Sequence, residues 1–367
     1  MTSKLFSPIR LGGITLSNRI AIAPMCQYSA NDGCMADWHA MHLPNLALSG
    51  AGLLVIEATA VTREARITHG CVGLYSEDNE AAMAKVLAAC RRVSRMAIGI
   101  QLAHAGRKAS TQAPWAGGRA LSAEESPWAT QAPSAIPFGE GWHTPHELSL
   151  AEMKRLVDAF AESGQRAMRL GLDAVELHAA HGYLLHQFLS PLANQRKDAY
   201  GGSAENRLRF PLEVAGALRE VLPRDKCLGA RITASDWMDG GAGPEDAIVM
   251  AKALKAIGYD YVCVSSGGLV PGAKMAVGPG YQVPFAMQVK QGSGIATRAV
   301  GMIADPHQAE AIVSSGQADM VALARGFLDN PRWVWHAAER LGVKLEYPPQ
   351  YARSHPETWP GSKIARP

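Results

Sequence analysis

The feature that most constrains this chain is an alternation repeated eight times. Short apolar runs at 20–23, 53–56, 98–102, 174–177, 228–232, 261–264, 295–299 and 320–323 are separated by longer stretches of mixed polarity. Runs this short and this apolar fit strands buried on both faces, as in a parallel sheet. The intervening segments at 37–48, 77–93, 150–170, 204–221, 244–257, 306–315 and 330–341 have helical length and mixed polarity. Two open with helix-starting chemistry: Ser149 with Glu152 three residues on, a capping box, and Asp305 before Pro306. The stretch 269–294 is rich in Gly and Pro, and its helix is the least defined. Strand–helix alternation of this kind specifies α/β architecture, and eight units favour closure into a single (β/α)8 TIM barrel over an open sheet.

Two additions break the pattern. Gly12-Gly13 between short apolar pieces predicts an N-terminal hairpin that closes the barrel floor. Segment 109–147, after the third strand, is rich in Pro, Gly, Ser and Trp and reads as a capping insertion. The Pro-rich tail 347–367 is expected to run over the surface or onto a neighbour. No linker divides residues 1–367, so one domain is expected, and 47% hydrophobic content suffices for its core.

Bulk properties exclude several classes. The net charge of +3 arises from interspersed charges, without a basic tract for nucleic acid. No stretch approaches the roughly 18 apolar residues of a membrane span. The N-terminus has no secretory apolar region. The six cysteines include no C-x-x-C pair, which argues against zinc ribbons and iron–sulfur clusters and fits reduced thiols in the cytoplasm.

In such barrels the site is built at the C-terminal ends of the strands. Cys26, Tyr28, Ala58, Gln101, His104, His178, His181, Tyr183, Arg231, Gly301 and Arg325 all end or follow candidate strands. Gly301 and Ala324-Arg325-Gly326 follow the last two strands, where barrel enzymes commonly hold phosphate. Arg231 interrupts an apolar strand and needs an anion or polarised acceptor; Glu176 is one available partner. Gln101 is likewise polar within an apolar run. A flat polar ring with a phosphate tail, such as flavin mononucleotide, satisfies all three requirements.

The chain resembles the Old Yellow Enzyme family, and within it the thermophilic-like ene-reductases. The resemblance rests on Ala23-Pro24-Met25-Cys26-Gln27-Tyr28, Glu57-Ala58-Thr59, and the run from Gln101 through His104 to Lys108. It continues through His178-Ala179-Ala180-His181-Gly182-Tyr183, the segment 198–203 with Asn206-Arg207, then Arg231, Gly301 and Ala324-Arg325. It implies non-covalent FMN against Ala23, Pro24, Met25, Cys26, Ala58, Gln101, His178 and Arg231, with phosphate at Gly301, Ala324 and Arg325. It implies NADPH or NADH as reductant and activated alkenes of α,β-unsaturated carbonyl compounds, or nitro compounds, as substrates. His178 and His181 would polarise the substrate oxygen, Tyr183 would supply a proton, Cys26 would adjoin the flavin, and Tyr28 would line the pocket. It also implies a homodimer or homotetramer in which Arg353 enters a neighbouring site. The chain departs from the pattern at Val300, where the subgroup has Trp, and at Ala324, where many members have Gly.

Two other readings stand beside this one. His178 and His181, with His104 or Glu176, could hold Zn²⁺ in a hydrolase or aldolase barrel. A nonenzymatic FMN-binding protein would show the same cofactor residues.

Overall fold

A computed structural model describes residues 3–365. Eight strands form a closed barrel: β1 Ile20–Ile22, β2 Leu53–Ala60, β3 Ala97–Ala103, β4 Ala174–Ala179, β5 Cys227–Thr233, β6 Tyr261–Ser265, β7 Ala296–Ala299 and β8 Met320–Leu323. Every neighbouring pair is parallel, and β8 closes on β1. Helices between the strands cover the outside, where Phe160, Phe210, Leu218 and Phe327 are fully buried. The expected (β/α)8 architecture is thus the observed one.

The hairpin is present as Ile9–Leu11 paired antiparallel with Ile14–Leu16. Its Leu11 and Leu16 pack with Ala21, Leu53, Cys227 and Met320 inside the barrel, so it closes the floor. Gly13 is required there, because a Cβ would fall 2.3 Å from the Asp225 Cα. At the other end, 109–147 folds over the mouth after β3 as short 3-10 turns and a two-residue strand pair. It is tied down by Trp128 Nε1 donating to the Glu64 carbonyl (3.0 Å) and by Arg196 Nη1 donating to the Pro133 carbonyl (3.1 Å).

Local chemistry sets the helix starts. Ser149 and Glu152 exchange the expected capping-box bonds, and Asp305 accepts from the Gln308 N–H ahead of Pro306. The Gly/Pro-rich segment does contain a helix, Val283–Ser293. A short helix at Leu184–Leu189 was not foreseen. Strands β2 and β4 run further than their apolar cores, to Ala60 and Ala179. Their last turns carry Glu57, Thr59 and His178, polar residues that the closed ladder accommodates because each side chain finds a buried partner or faces the mouth. Among the described residues no helix is long and apolar enough to cross a membrane.

Candidate active site

Alternation along β4 points Glu176 and His178 to the barrel interior, one layer apart. Glu176 belongs to the lower layer. Its carboxylate accepts from Gln101 Nε2 (2.8 Å) and from the Tyr261 hydroxyl (2.8 Å), and it pairs with Arg298 of β7. Arg298 lies over the Tyr261 ring at 4.8 Å. Glycine is needed at Gly229, since a Cβ there would stand 2.2 Å from the same ring. Of the two partners open to Arg231, Glu176 is taken by Arg298, and the Gln101 amide nitrogen is anchored by protein, leaving its carbonyl oxygen for a ligand. Arg298 carries the same sequence signal as Arg231, a charge inside an apolar strand.

Above that layer stand His178 and Arg231. His178 is buried, and its Nδ1 accepts from the Ala180 N–H at 3.3 Å, so its proton resides on Nε2. The His181 ring is 5.2 Å away and the Tyr183 ring 4.9 Å away, both edge to face. His181 Nε2 lies 2.7 Å from Ser265 Oγ of β6. Burial, reinforced by the Arg231 cation, holds both imidazoles well below the usual histidine range. Burial raises Tyr183 well above the ordinary phenol value, so it keeps its proton. Lys108 braces this group from the 3-10 turn Gly106–Lys108 that follows β3. Its ammonium donates to the carbonyls of His181 and Gly268, each at 2.9 Å, and lies over the rings of Tyr183 and Phe138. Burial, with Arg107 nearby, brings its pKa down to about 8.

Arg231 borders a cavity of about 860 Å³. The same cavity is lined by Ala23, His181, Ser265, Val300, Gly301, Ala324 and Arg325. The Arg231 Nε is buried without a hydrogen-bond partner, as a group awaiting an acceptor would be. Gly301 has φ +106°, and a Cβ there would lie 2.7 Å from Gln282 Nε2, so only glycine fits this turn.

The opposite wall comes from β1 and β2. Ala23 N–H donates to the Leu323 carbonyl, which fixes the direction of Pro24, Met25 and Cys26. A register slip between Ile56 and Ala58 adjusts the end of β2, where Ala58 is buried. Glu57, buried against His39 (3.3 Å), accepts the Gln27 N–H and so steadies the residues between Cys26 and Tyr28. A hydrogen bond with Cys71, followed by burial, raises the Cys26 thiol well above its usual value. Tyr28 meets Trp115 of the capping insertion edge to face at 5.6 Å.

The zinc reading loses its supporting ligands. Glu176 is held by Arg298, and His104 is bonded to Gln131 and to the Gly106 N–H. Among the described residues no group of three or more His, Cys, Asp or Glu is arranged to hold a metal. Arg353 is not brought to this site. It is exposed on the turn Pro349–Ser354, whose Tyr351 packs on Trp335 and shares a groove with Gly50 and Met96 at the entrances to β2 and β3.

Comparison with known proteins accounts for this arrangement. Residues 4–343 match the model of the NADH:flavin oxidoreductase / NADH oxidase family. An NADPH dehydrogenase of Geobacillus thermodenitrificans (strain NG80-2) is 44% identical over 96% of this chain and 99% of its own. One from Listeria innocua serovar 6a (strain ATCC BAA-680 / CLIP 11262) is 42% identical over the same shares. A structure of morphinone reductase in complex with tetrahydroNAD superposes with TM-score 0.75 at 28% identity, covering 95% of this chain and 94% of that one. The chain therefore belongs to the NADH:flavin oxidoreductase / NADH oxidase family, of Old Yellow Enzyme type, and is an FMN-dependent NAD(P)H oxidoreductase.

Proposed function

We propose that this enzyme reduces the activated C=C bond of α,β-unsaturated carbonyl compounds, and of nitro analogues. The observation that carries the reading is the cluster of neutral His178, His181 and protonated Tyr183 rings beside the cavity bordered by Arg231. The chemistry of the cavity fits FMN: the unpartnered Arg231 Nε would meet the polar ring, and the Gly301 turn with Ala324 and Arg325 would hold the phosphate. Ala23, Pro24, Met25, Cys26, Ala58, the Gln101 carbonyl oxygen and His178 would border the ring. When bound, FMN supplies the hydride, replenished by NADPH or NADH.

The protein's residues do the rest. His178 donates through Nε2–H, because its Nδ1 is occupied by the Ala180 N–H. In the Nδ1–H tautomer His181 would be the second donor: the Ser265 hydroxyl, 2.7 Å from Nε2, then turns from Gln282 Oε1 (3.1 Å), which the Ser266 hydroxyl still serves (2.8 Å). Two fixed neutral donors stabilise the negative charge that grows on the substrate oxygen as the β-carbon gains hydride. Tyr183 O–H then delivers a proton to the α-carbon. Tyr28 and Trp115 form the outer wall, and the capping insertion limits water. Arg353 reaches the site of a neighbouring subunit in a homodimer or homotetramer, which agrees with its exposed position away from its own cavity.

The test is an absorption titration of the purified protein. NADPH added without oxygen should bleach the flavin bands, and cyclohexenone should restore them. Bleaching without recovery would leave a flavin reductase with another acceptor, and a colourless protein that does not take up FMN would overturn the reading.

A further inference from the structure

The turn that presents His181 and Tyr183 is made of two consecutive residues in the left-handed region, His181 (φ 60°) and Gly182 (φ 73°). That conformation is uncommon for histidine, and it persists only where surroundings enforce it. Here all four backbone polar groups of the two residues are satisfied by side chains. The His181 N–H donates to Thr233 Oγ1 (3.0 Å), and the His181 carbonyl accepts from Lys108. The Gly182 carbonyl accepts from Gln187 Nε2 (2.7 Å), and the Gly182 N–H donates to His186 Nδ1 (2.8 Å).

The His186 contact differs from the other three. The Lys108 ammonium and the Gln187 amide nitrogen only donate and the Thr233 hydroxyl oxygen can always accept, whereas an imidazole nitrogen is donor or acceptor according to its tautomer. Only the tautomer with the proton on Nε2 can accept the Gly182 N–H. His186 Nε2 lies 2.9 Å from Asp236 Oδ1, an ion-pair distance, and neither atom makes an aligned hydrogen bond to any group. The second Asp236 oxygen is fixed by the Ser190 hydroxyl (2.7 Å) and the Ala242 N–H (2.7 Å). Asp236 is fully buried and His186 is 1% exposed.

We propose that His186, with its tautomer set by Asp236, is the positioning residue of the active-site turn. Its Nδ1 holds the Gly182 backbone and thereby aims His181 and Tyr183, although His186 itself touches no substrate. The kinetic consequence rests on the function proposed above; the hydrogen-bond assignment does not. A carboxylate, an imidazole and a backbone N–H act in series, as an outer partner orients a ligand side chain at a metal site.

Two substitutions separate this role from simple filling of space. In His186→Asn the side-chain oxygen occupies the place of Nδ1 and can accept the Gly182 N–H. In His186→Gln the amide reaches the place of Nε2 and Asp236, but leaves Gly182 unbonded. Glutamine is the better match in volume. Positioning thus predicts that the Asn variant retains most of kcat/KM for cyclohexenone. The Gln variant should lose about a hundredfold, the scale of a 1 Å misplacement, with FMN content and melting temperature followed in both. The reverse order would overturn the proposal. A readout independent of turnover is long-range ¹H–¹⁵N spectroscopy of histidine-labelled protein. His186 should show a bare Nδ1 and a protonated Nε2; a protonated Nδ1 would sink the assignment even if enones are reduced. If the spectrum agrees and the wild type reduces no enone, the assignment stands and only the substrate class fails.

Discussion

Glu176 and Arg298 face each other inside the barrel from β4 and β7, the arginine fully buried and the glutamate 1% exposed. The pair lies in the layer below His178 and Arg231, and the carboxylate also accepts from Gln101 and Tyr261. A buried pair of this kind adds little net stability, but removing one partner leaves an uncompensated charge. Arg298→Met should therefore lower unfolding free energy by about 3–5 kcal/mol. Adding Glu176→Gln should recover most of that loss. Urea denaturation of the two variants checks this; an undiminished loss in the double variant would mean that the arginine acts through packing.

In the proposed mechanism Tyr183 gives a proton that a hydrocarbon ring of the same size cannot supply. Tyr183→Phe should slow enone reduction by about 10²- to 10⁴-fold, the usual range for a general acid. Flavin content should remain at the wild-type level, because the hydroxyl is not among the groups assigned to the cofactor. Single-turnover stopped-flow reoxidation by cyclohexenone measures it, and a rate within twofold of wild type would require another proton source.

The pH dependence follows from burial. Folding depresses the pKa of His178 and His181 below 6.5, chiefly by desolvation and next by Arg231. The unfolded chain therefore binds protons that the folded protein refuses. Their contribution to stability is complete above pH 6.5 and is lost as pH falls toward the folded values. Catalysis should stay level from pH 8 down to pH 6, without a limb at the ordinary histidine value. On the alkaline side Lys108 gives up its proton near pH 8, and its hold on the His181 and Gly268 carbonyls weakens. KM for the enone should rise there, and Lys108→Met should show a high KM that no longer varies with pH. Initial rates across pH 5 to 10 test both limbs.

The tail makes a separate prediction. Deleting 351–367 removes Arg353 while leaving the Tyr347 ring stacked on Trp335 at 4.1 Å. KM should increase and the assembly should loosen, as read by steady-state kinetics and light scattering. Unchanged KM and unchanged mass in solution would count against a subunit-crossing Arg353.

The sequence by itself determined the barrel, because eight apolar runs separated by helical segments leave a parallel closed sheet as the economical burial. It also determined which residues gather at the mouth, since strand ends converge in such a fold. His178, His181, Tyr183, Arg231 and Gly301 were legible for that reason. Only the tertiary structure decided who partners whom. Glu176 was as close to Arg231 in pattern as to Arg298, and the barrel's layering gave it to Arg298. The left-handed turn at His181, the Lys108 brace and the His186–Asp236 pair were invisible in the same way. Each depends on contacts between segments far apart in sequence, and neither spacing nor periodicity records which buried donor meets which acceptor.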